Sequence, residues 1–418
     1  MMGTTTAFIP RLLTPVIRET MESARITAIV GPRQSGKTTL VRHIVADRRM
    51  TYVTLDDDTA RSSAREDPYG FVLALRRPAA IDEVQRAPEL MLALKRFVDD
   101  DTRPGSFLIT GSADLQTLPR IADALPGRVD YLTLDPLAEA EVLGASGSVV
   151  DRLFDPSWLP ANASSAGRGA YVDAVIGGGF PEARLRSARS RRRFFEGYIA
   201  SLIERDIAAA AELRTSDRVG DTLRLVAARS GASAEPYALG RELGLDGKTA
   251  GAHLRALERL FAVRLLPAWS TNLGARITRA PRAYMADTGL HAHTIGADRD
   301  VFLHDGTGAV AGQLIETLVL NEVVRQAAWA ETPIHASFYR DARQREIDLV
   351  LESGRRVVGI EIKAAATASA RDARHLGFLR DRLGDRFVRG VVMYTGSAVV
   401  PLGERLHALP IEALWRVD

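Results

Sequence analysis

The chain has 418 residues, with 55 basic and 52 acidic side chains, a net charge of +3 and a pI near 9.2; this excess of positive charge is too slight to prove a polyanionic partner. Hydrophobic content of 46% and charged content of 26% place it among soluble globular chains long enough for two or three domains. The absence of cysteine excludes disulfides and thiolate metal sites, no apolar run approaches the ~18 residues of a membrane span, and the first residues lack the features of a secretory signal, so a cytoplasmic protein with no membrane partner is expected.

Along the chain, Ile26-Thr-Ala-Ile-Val30 reads as a buried parallel strand, and Leu40-Val-Arg-His-Ile-Val45 has helical spacing. Between them stands Gly31-Pro32-Arg33-Gln34-Ser35-Gly36-Lys37-Thr38-Thr39, a complete G-x-x-x-x-G-K-[ST] phosphate loop in strand-loop-helix context. Gly31 and Gly36 let the backbone turn its N–H groups toward phosphate oxygens, and the next helix offers its positive end to the same charge. Lys37 is expected to reach the β and γ phosphates of ATP, and Thr38 to hold Mg²⁺. Lys37 is one of only four lysines, with Lys95, Lys248 and Lys363; every other basic side chain is an arginine.

Ala79-Ala80-Ile81-Asp82-Glu83 is an apolar strand ending in two carboxylates. Alone, such a pair would as readily mark a helix N-terminus. In company with the phosphate loop, Asp82 is expected to fix Mg²⁺ through water and Glu83 to polarise the attacking water. A third strand, residues 106–112, ends in small polar residues.

In the run from Ile29 to Leu40, in Ile81-Asp-Glu-Val-Gln85, in Leu108-Ile-Thr-Gly-Ser112 and in Pro126-Gly-Arg128-Val-Asp, the chain resembles a bacterial and archaeal family of AAA-type P-loop ATPases. In that family the motor is followed by a domain of unknown function with a restriction-endonuclease-like fold, and the resemblance covers nearly the whole chain. It implies that Ser112 senses the γ-phosphate and that an arginine preceding the last core strand enters the neighbouring subunit's site. Arg128 occupies that stretch, with Arg120 as second candidate. The active form would then be a homo-oligomer, in one version a ring. The plainer alternative is an arginine paired on its own surface.

Residues 144–147 and 160–169 read as loops, and Gly177-Gly-Gly-Phe-Pro181 as a turn, with a helix expected from about 191 to 214. Six arginines lie between Ala183 and Phe194, a stripe for a nucleic-acid backbone or a solvated helix face. Tyr237-Ala-Leu-Gly-Arg-Glu-Leu243, a turn at 244–247, a helix from 248 to 260 and two extended stretches near Val263 and Ala283 suggest a winged helix. On its second helix Lys248, His253 and Arg255 are expected to face outward toward DNA. His291 and His293 read as surface residues of a loop.

Arg345-Glu-Ile-Asp-Leu-Val-Leu351 and Val357-Val-Gly-Ile-Glu-Ile-Lys363 alternate as half-buried strands do. A turn at Ser353-Gly354 would set Asp348 opposite the region of Gly359, diagonal to Glu361 at roughly 7–8 Å. Glu316, on a helix upstream, can join them. The set is similar to the metal-dependent nuclease pattern PD-(D/E)-x-K, with Ile347 where that pattern has proline. The likeness implies Asp348 and Glu361 as Mg²⁺ ligands, Glu316 completing the shell and Lys363 stabilising charge. A DNA-binding relic of that fold, or a structural cluster in which Lys363 pairs with a carboxylate, are the alternatives.

The expected fold is therefore α/β. It comprises an AAA-type P-loop domain (1–143), a linker and helical segment (144–215), a winged-helix segment (216–296) and a restriction-endonuclease-like domain (297–418). The expected function is ATP hydrolysis coupled to work on DNA, remodelling or translocating on branched or duplex forms. The competitors are a nucleotide-gated switch or scaffold binding a protein partner, of defence or toxin-antitoxin type, and an ATP-regulated metal-dependent nuclease.

Overall fold

The computed structural model describes residues 8–112, 127–160, 167–203, 218–304 and 308–416. The chain divides into two compact units, the first reaching Pro136 and taking in Arg259–Phe261, the second containing most of the remainder.

In the first unit, β1 (Ile26–Val30), β2 (Thr51–Thr54), β3 (Ala79–Asp82), β4 (Phe107–Gly111) and β5 (Val129–Thr133) form one parallel sheet in the order β2-β3-β4-β1-β5. Every residue of β1, β3 and β4 is buried. Burial on both faces is why these segments read as unbroken apolar runs rather than alternating ones. Helix Leu90–Asp100 lays Leu90, Leu94 and Phe97 on the sheet, Phe97 meeting Phe107 edge to face at 5.5 Å. Because β4 lies between β1 and β3, the loop after β1 and the carboxylates after β3 flank the end of β4, one strand spacing of about 4.8 Å on either side.

The second unit holds an antiparallel ribbon, β6 (Val263–Leu266) with β7 (Arg282–Met285). It also holds a mixed sheet ordered β12-β13-β11-β10-β9-β8, built from β8 (His335–Arg340), β9 (Glu346–Ser353), β10 (Arg356–Lys363), β11 (Phe387–Tyr394), β12 (Val400–Gly403) and β13 (Leu406–Pro410). Alternate residues of β10 and β11 enter two cores. Val358, Ile360, Val391 and Met393 pack with helix Ala309–Ala327, whereas Val357, Phe387 and Val392 pack with helix Arg374–Leu383 and Trp269.

Residues expected as linker join the first of these cores: Val149, Val150, Leu153 and Phe154, then Tyr171 and Val175, are buried with Leu314 and Val319. Glu322, buried on the same long helix, accepts the N–H groups of Glu139 and Ala140 at 2.8 and 3.0 Å.

Helices Pro236–Leu243 and Gly247–Arg259 precede the ribbon. Lys248 and Arg255 are exposed, but His253 is not: it is fully buried, its Nδ1 2.9 Å from the Thr222 hydroxyl. Helical spacing explains the difference, since His253 shares a stripe with Ala250 and Leu257. His291 likewise lies buried in helix Thr288–Thr294, with Nε2 2.8 Å from the Ala227 carbonyl, rather than on a surface loop. Burial pushes its pKa down to about 4. No helix among the described residues is long and apolar enough to cross a membrane.

Candidate functional site

β1 delivers Gly31 into a loop that ends where helix Lys37–Arg48 begins. Gly31 has φ 151°, and a Cβ there would stand 2.3 Å from the Leu134 carbonyl oxygen, so only glycine fits. Lys37 is buried and its Nζ donates to the Gly31 and Pro32 carbonyls at 2.9 and 2.7 Å. Arg11, which nothing in the sequence singles out, braces the loop, donating to the Ser35 carbonyl at 2.9 Å and the Asp135 carbonyl at 2.7 Å.

The loop closes on the end of β3. Thr38 Oγ1 donates to Asp82 Oδ2 at 2.9 Å, and the Tyr52 hydroxyl donates to the same oxygen at 2.8 Å. Burial raises the Tyr52 pKa, so the phenol remains a donor. The Thr110 hydroxyl donates to Asp82 Oδ1 and accepts the Glu83 N–H at 3.0 Å. Glu83 follows with a left-handed backbone, φ 61°. Gln85 Nε2 donates to Glu83 Oε2 and also to Ser112 Oγ at 2.8 Å. While Lys37 bonds to the carbonyls of its own loop, Thr38, Asp82, Glu83 and Ser112 are thus linked at one end of the sheet, through the unforeseen Thr110 and Gln85. Both of those stand in strings that the sequence marks, but nothing about their spacing gives them a role.

Arg128 lies elsewhere. It precedes β5, at the end of the sheet where the strands begin, and pairs with Asp99 at 2.5 and 3.1 Å. This is the own-surface pairing named above as the plainer alternative. Arg120 lies outside the described residues.

In the second unit, β9 and β10 turn at Gly354-Arg355, with Gly354 at φ 58° and Arg356 paired to Ser353. The paired register ends at Ile360↔Leu349, and continued by one step it would set Asp348 opposite Glu361 rather than diagonal to it. Asp348 accepts the Ile362 N–H at 2.9 Å, Lys363 pairs with Glu361 at 2.8 Å, and Glu316 accepts from the Tyr284 hydroxyl at 2.6 Å.

The remaining counter-charge comes from a residue that the sequence does not mark. Arg282 of β7, only 7% exposed, pairs with Glu346 and stands 3.9 Å from Glu316 and 3.8 Å from Asp348. Burial, reinforced by the Asp348 charge, pushes Glu316 up to about 7 and Glu361 up to about 8; burial raises Asp348 as well. Among the described residues no three carboxylate or histidine side chains have metal-holding geometry. A cleft of about 590 Å³, lined by Arg279, Arg282, Phe338, Arg340 and Glu346 among others, opens beside the cluster.

Of the six clustered arginines, Arg184 is tied to Glu139, Arg186 to Glu182, and Arg191 to the Ala183 and Arg186 carbonyls. Arg189, Arg192 and Arg193 are exposed.

Three family models match the chain: an AAA domain over residues 23–143, a domain of unknown function (DUF8612) over 168–301, and a domain of unknown function (DUF4143) over 311–414. Two uncharacterized proteins, one from Mycobacterium tuberculosis and one from Mycobacterium bovis, are each 29% identical over 400 residues, covering 95% of this chain and 82% of the relative. Among solved structures, the chain is similar to the Walker-type ATPase PABY2304 of Pyrococcus abyssi at 15% identity and TM-score 0.43, covering 69% of this chain and 96% of that one. It is also similar to the RuvB Holliday junction branch migration motor of Thermotoga maritima at 17% identity and TM-score 0.30, covering 61% and 89%. The phosphate loop, the carboxylates after β3 and the matched segments together give the chain an AAA-type P-loop ATPase domain over residues 23–143 and a C-terminal DUF4143 domain over residues 311–414.

Proposed function

We propose that ATP hydrolysis in the first unit drives work on DNA. The observation that carries the hydrolytic part is the 2.9 Å contact between Thr38 Oγ1 and Asp82 Oδ2. A hydroxyl and a carboxylate so placed suit Mg²⁺, which takes few protein oxygens and fills its octahedron with phosphate and water. When bound, the ion would offset charge on the β and γ phosphates. Lys37 exchanges its loop carbonyls for phosphate oxygens, Glu83 orients the attacking water, and Ser112 contacts the γ-phosphate. Arg128 is the proposed finger for a neighbouring copy in a homo-oligomer, giving up Asp99 to act.

The DNA part is supported by exposed cations. Lys248 and Arg255 stand two turns apart on one face of helix Gly247–Arg259, as a winged helix presents them to a groove, and Arg189, Arg192 and Arg193 are free of the pairings that hold their neighbours. ATP turnover measured with duplex, junction and single-stranded DNA tests this reading. A rise with duplex or junction DNA is expected, and flat kinetics across all nucleic acids would overturn it.

A second reading, a nucleotide-gated switch for a protein partner, is favoured by Arg282, which gives the C-terminal carboxylates an internal cation. The nuclease alternative needs that arginine to yield to a metal. Supercoiled plasmid with Mg²⁺ or Mn²⁺ separates the two: cutting lost in Lys363→Ala supports the nuclease, and intact plasmid with wild type removes it.

A further inference from the structure

Gln85 lies in the short helical turn Val84–Arg86, directly after the left-handed Glu83. Its amide nitrogen carries two hydrogens, so it can serve Glu83 Oε2 and Ser112 Oγ together without sharing a proton. Charge fixes the orientation of the amide. Turned over, it would set Oε1 against the Glu83 carboxylate, two acceptors with no proton between them. Oriented as it is, Oε1 is buried without a hydrogen-bond partner among the described residues. That arrangement costs stability, which points to the two donated bonds as the reason for a glutamine here.

The backbone of Glu83 is already fixed, with its N–H bonded to Thr110 and its φ in a region that non-glycine residues seldom occupy. What remains free is rotation of the carboxylate, and an active-site base is commonly oriented by a third group. We propose that Gln85 is a positioning residue for ATP hydrolysis: it holds one oxygen of Glu83, leaves the other to meet the water, and ties that carboxylate to Ser112 so that base and γ-phosphate contact are set as a unit. This rests on the reading of Glu83 as the base and Ser112 as the γ-phosphate contact.

Steady-state turnover of the full chain tests it, with Gln85→Ala and Gln85→Met alongside wild type. Met keeps nearly the volume of Gln and loses the donors. Both variants are expected to lower kcat by about 10²-fold, the scale of a misplaced catalytic group, with KM for ATP and the affinity for an unhydrolysable analogue within about threefold of wild type. Adding Ser112→Ala to Gln85→Ala should cost far less than the product of the single losses, because coupled residues are not additive. Wild-type kcat in Gln85→Met would overturn the proposal by showing that the residue only fills space, and so would fully multiplicative losses in the double variant. Loss of analogue binding in both variants would also overturn it, marking a residue of fold or affinity. A wild-type chain with no turnover would instead sink the reading of the site beneath it.

Discussion

Glu83 and Arg11 show two ways in which single side chains govern the nucleotide site. Glu83→Gln keeps shape and removes the proposed base, so nucleotide should still bind while turnover falls about 10²–10⁴-fold. Fluorescent-nucleotide titration beside a phosphate-release assay checks this, and unchanged turnover would excuse Glu83 from the chemistry. Arg11→Ala removes two hydrogen bonds from a charged donor to the Ser35 and Asp135 carbonyls. It should cost about 1–3 kcal/mol in urea unfolding and raise KM for ATP, since the loop loses its brace. The phosphate loop was legible because its chemistry demands consecutive residues. Arg11, Thr110 and the contact of Gln85 with Ser112 were not, because partners brought in by folding leave no spacing to read. His253 was misread for another reason: its polarity outweighed a helical stripe that the neighbouring Ala250 and Leu257 already drew.

At the level of elements, the β9–β10 hairpin turns on one residue. The alternation of both strands was plain in the sequence, but the turn falls at Gly354-Arg355, one residue later than expected, and this shifts the register that leads toward Asp348 and Glu361. Burial raises these carboxyl pKa values first, the Asp348 charge reinforces the rise in Glu316 and Glu361, and Lys363 pairs with Glu361 there. In the folded chain Glu316 and Glu361 keep protons up to about pH 7 and 8, well above the ordinary carboxyl value of 4.5. The native state therefore binds more protons than the unfolded one across that window, and stability falls as pH rises through it. His291, held to about 4, acts oppositely, losing stability as pH falls below 6.5. Above 6.5 the carboxyls act without that offset, so urea midpoints should drop between pH 6.5 and 8, less steeply in Glu316→Gln. A flat profile would contradict the burial assigned to them. Arg282→Met removes their buried cation and should cost about 3–5 kcal/mol, most at high pH where the carboxyls are charged.

Taken as one molecule, the chain carries too small a net charge to declare a polyanion partner, so the placement of its arginines decides. Three of the six between Ala183 and Phe194 are committed to Glu139, Glu182 and backbone carbonyls, which composition could not foretell. If Arg189, Arg192 and Arg193 each meet a phosphate, log affinity for duplex DNA should fall against log salt with a slope of roughly −3 from these contacts. Replacing all three by alanine should flatten the slope by that amount in gel shifts, and an unaltered slope removes them from the interface. The α/β class, with a P-loop domain ahead of a C-terminal mixed-sheet domain, was readable from motifs. The extent of the second unit was not, because residues 149–175 look like a connection until their apolar side chains are seen beneath the helix Ala309–Ala327.

That shared packing has a practical corollary for anyone dissecting the protein. A fragment begun at residue 297 would carry Leu314 and Val319 without Val149, Phe154 or Val175, and Glu322 without the amides of Glu139 and Ala140. Such a truncation should aggregate on expression, whereas a piece begun near Leu137 retains the whole hydrophobic interior and is the one to clone.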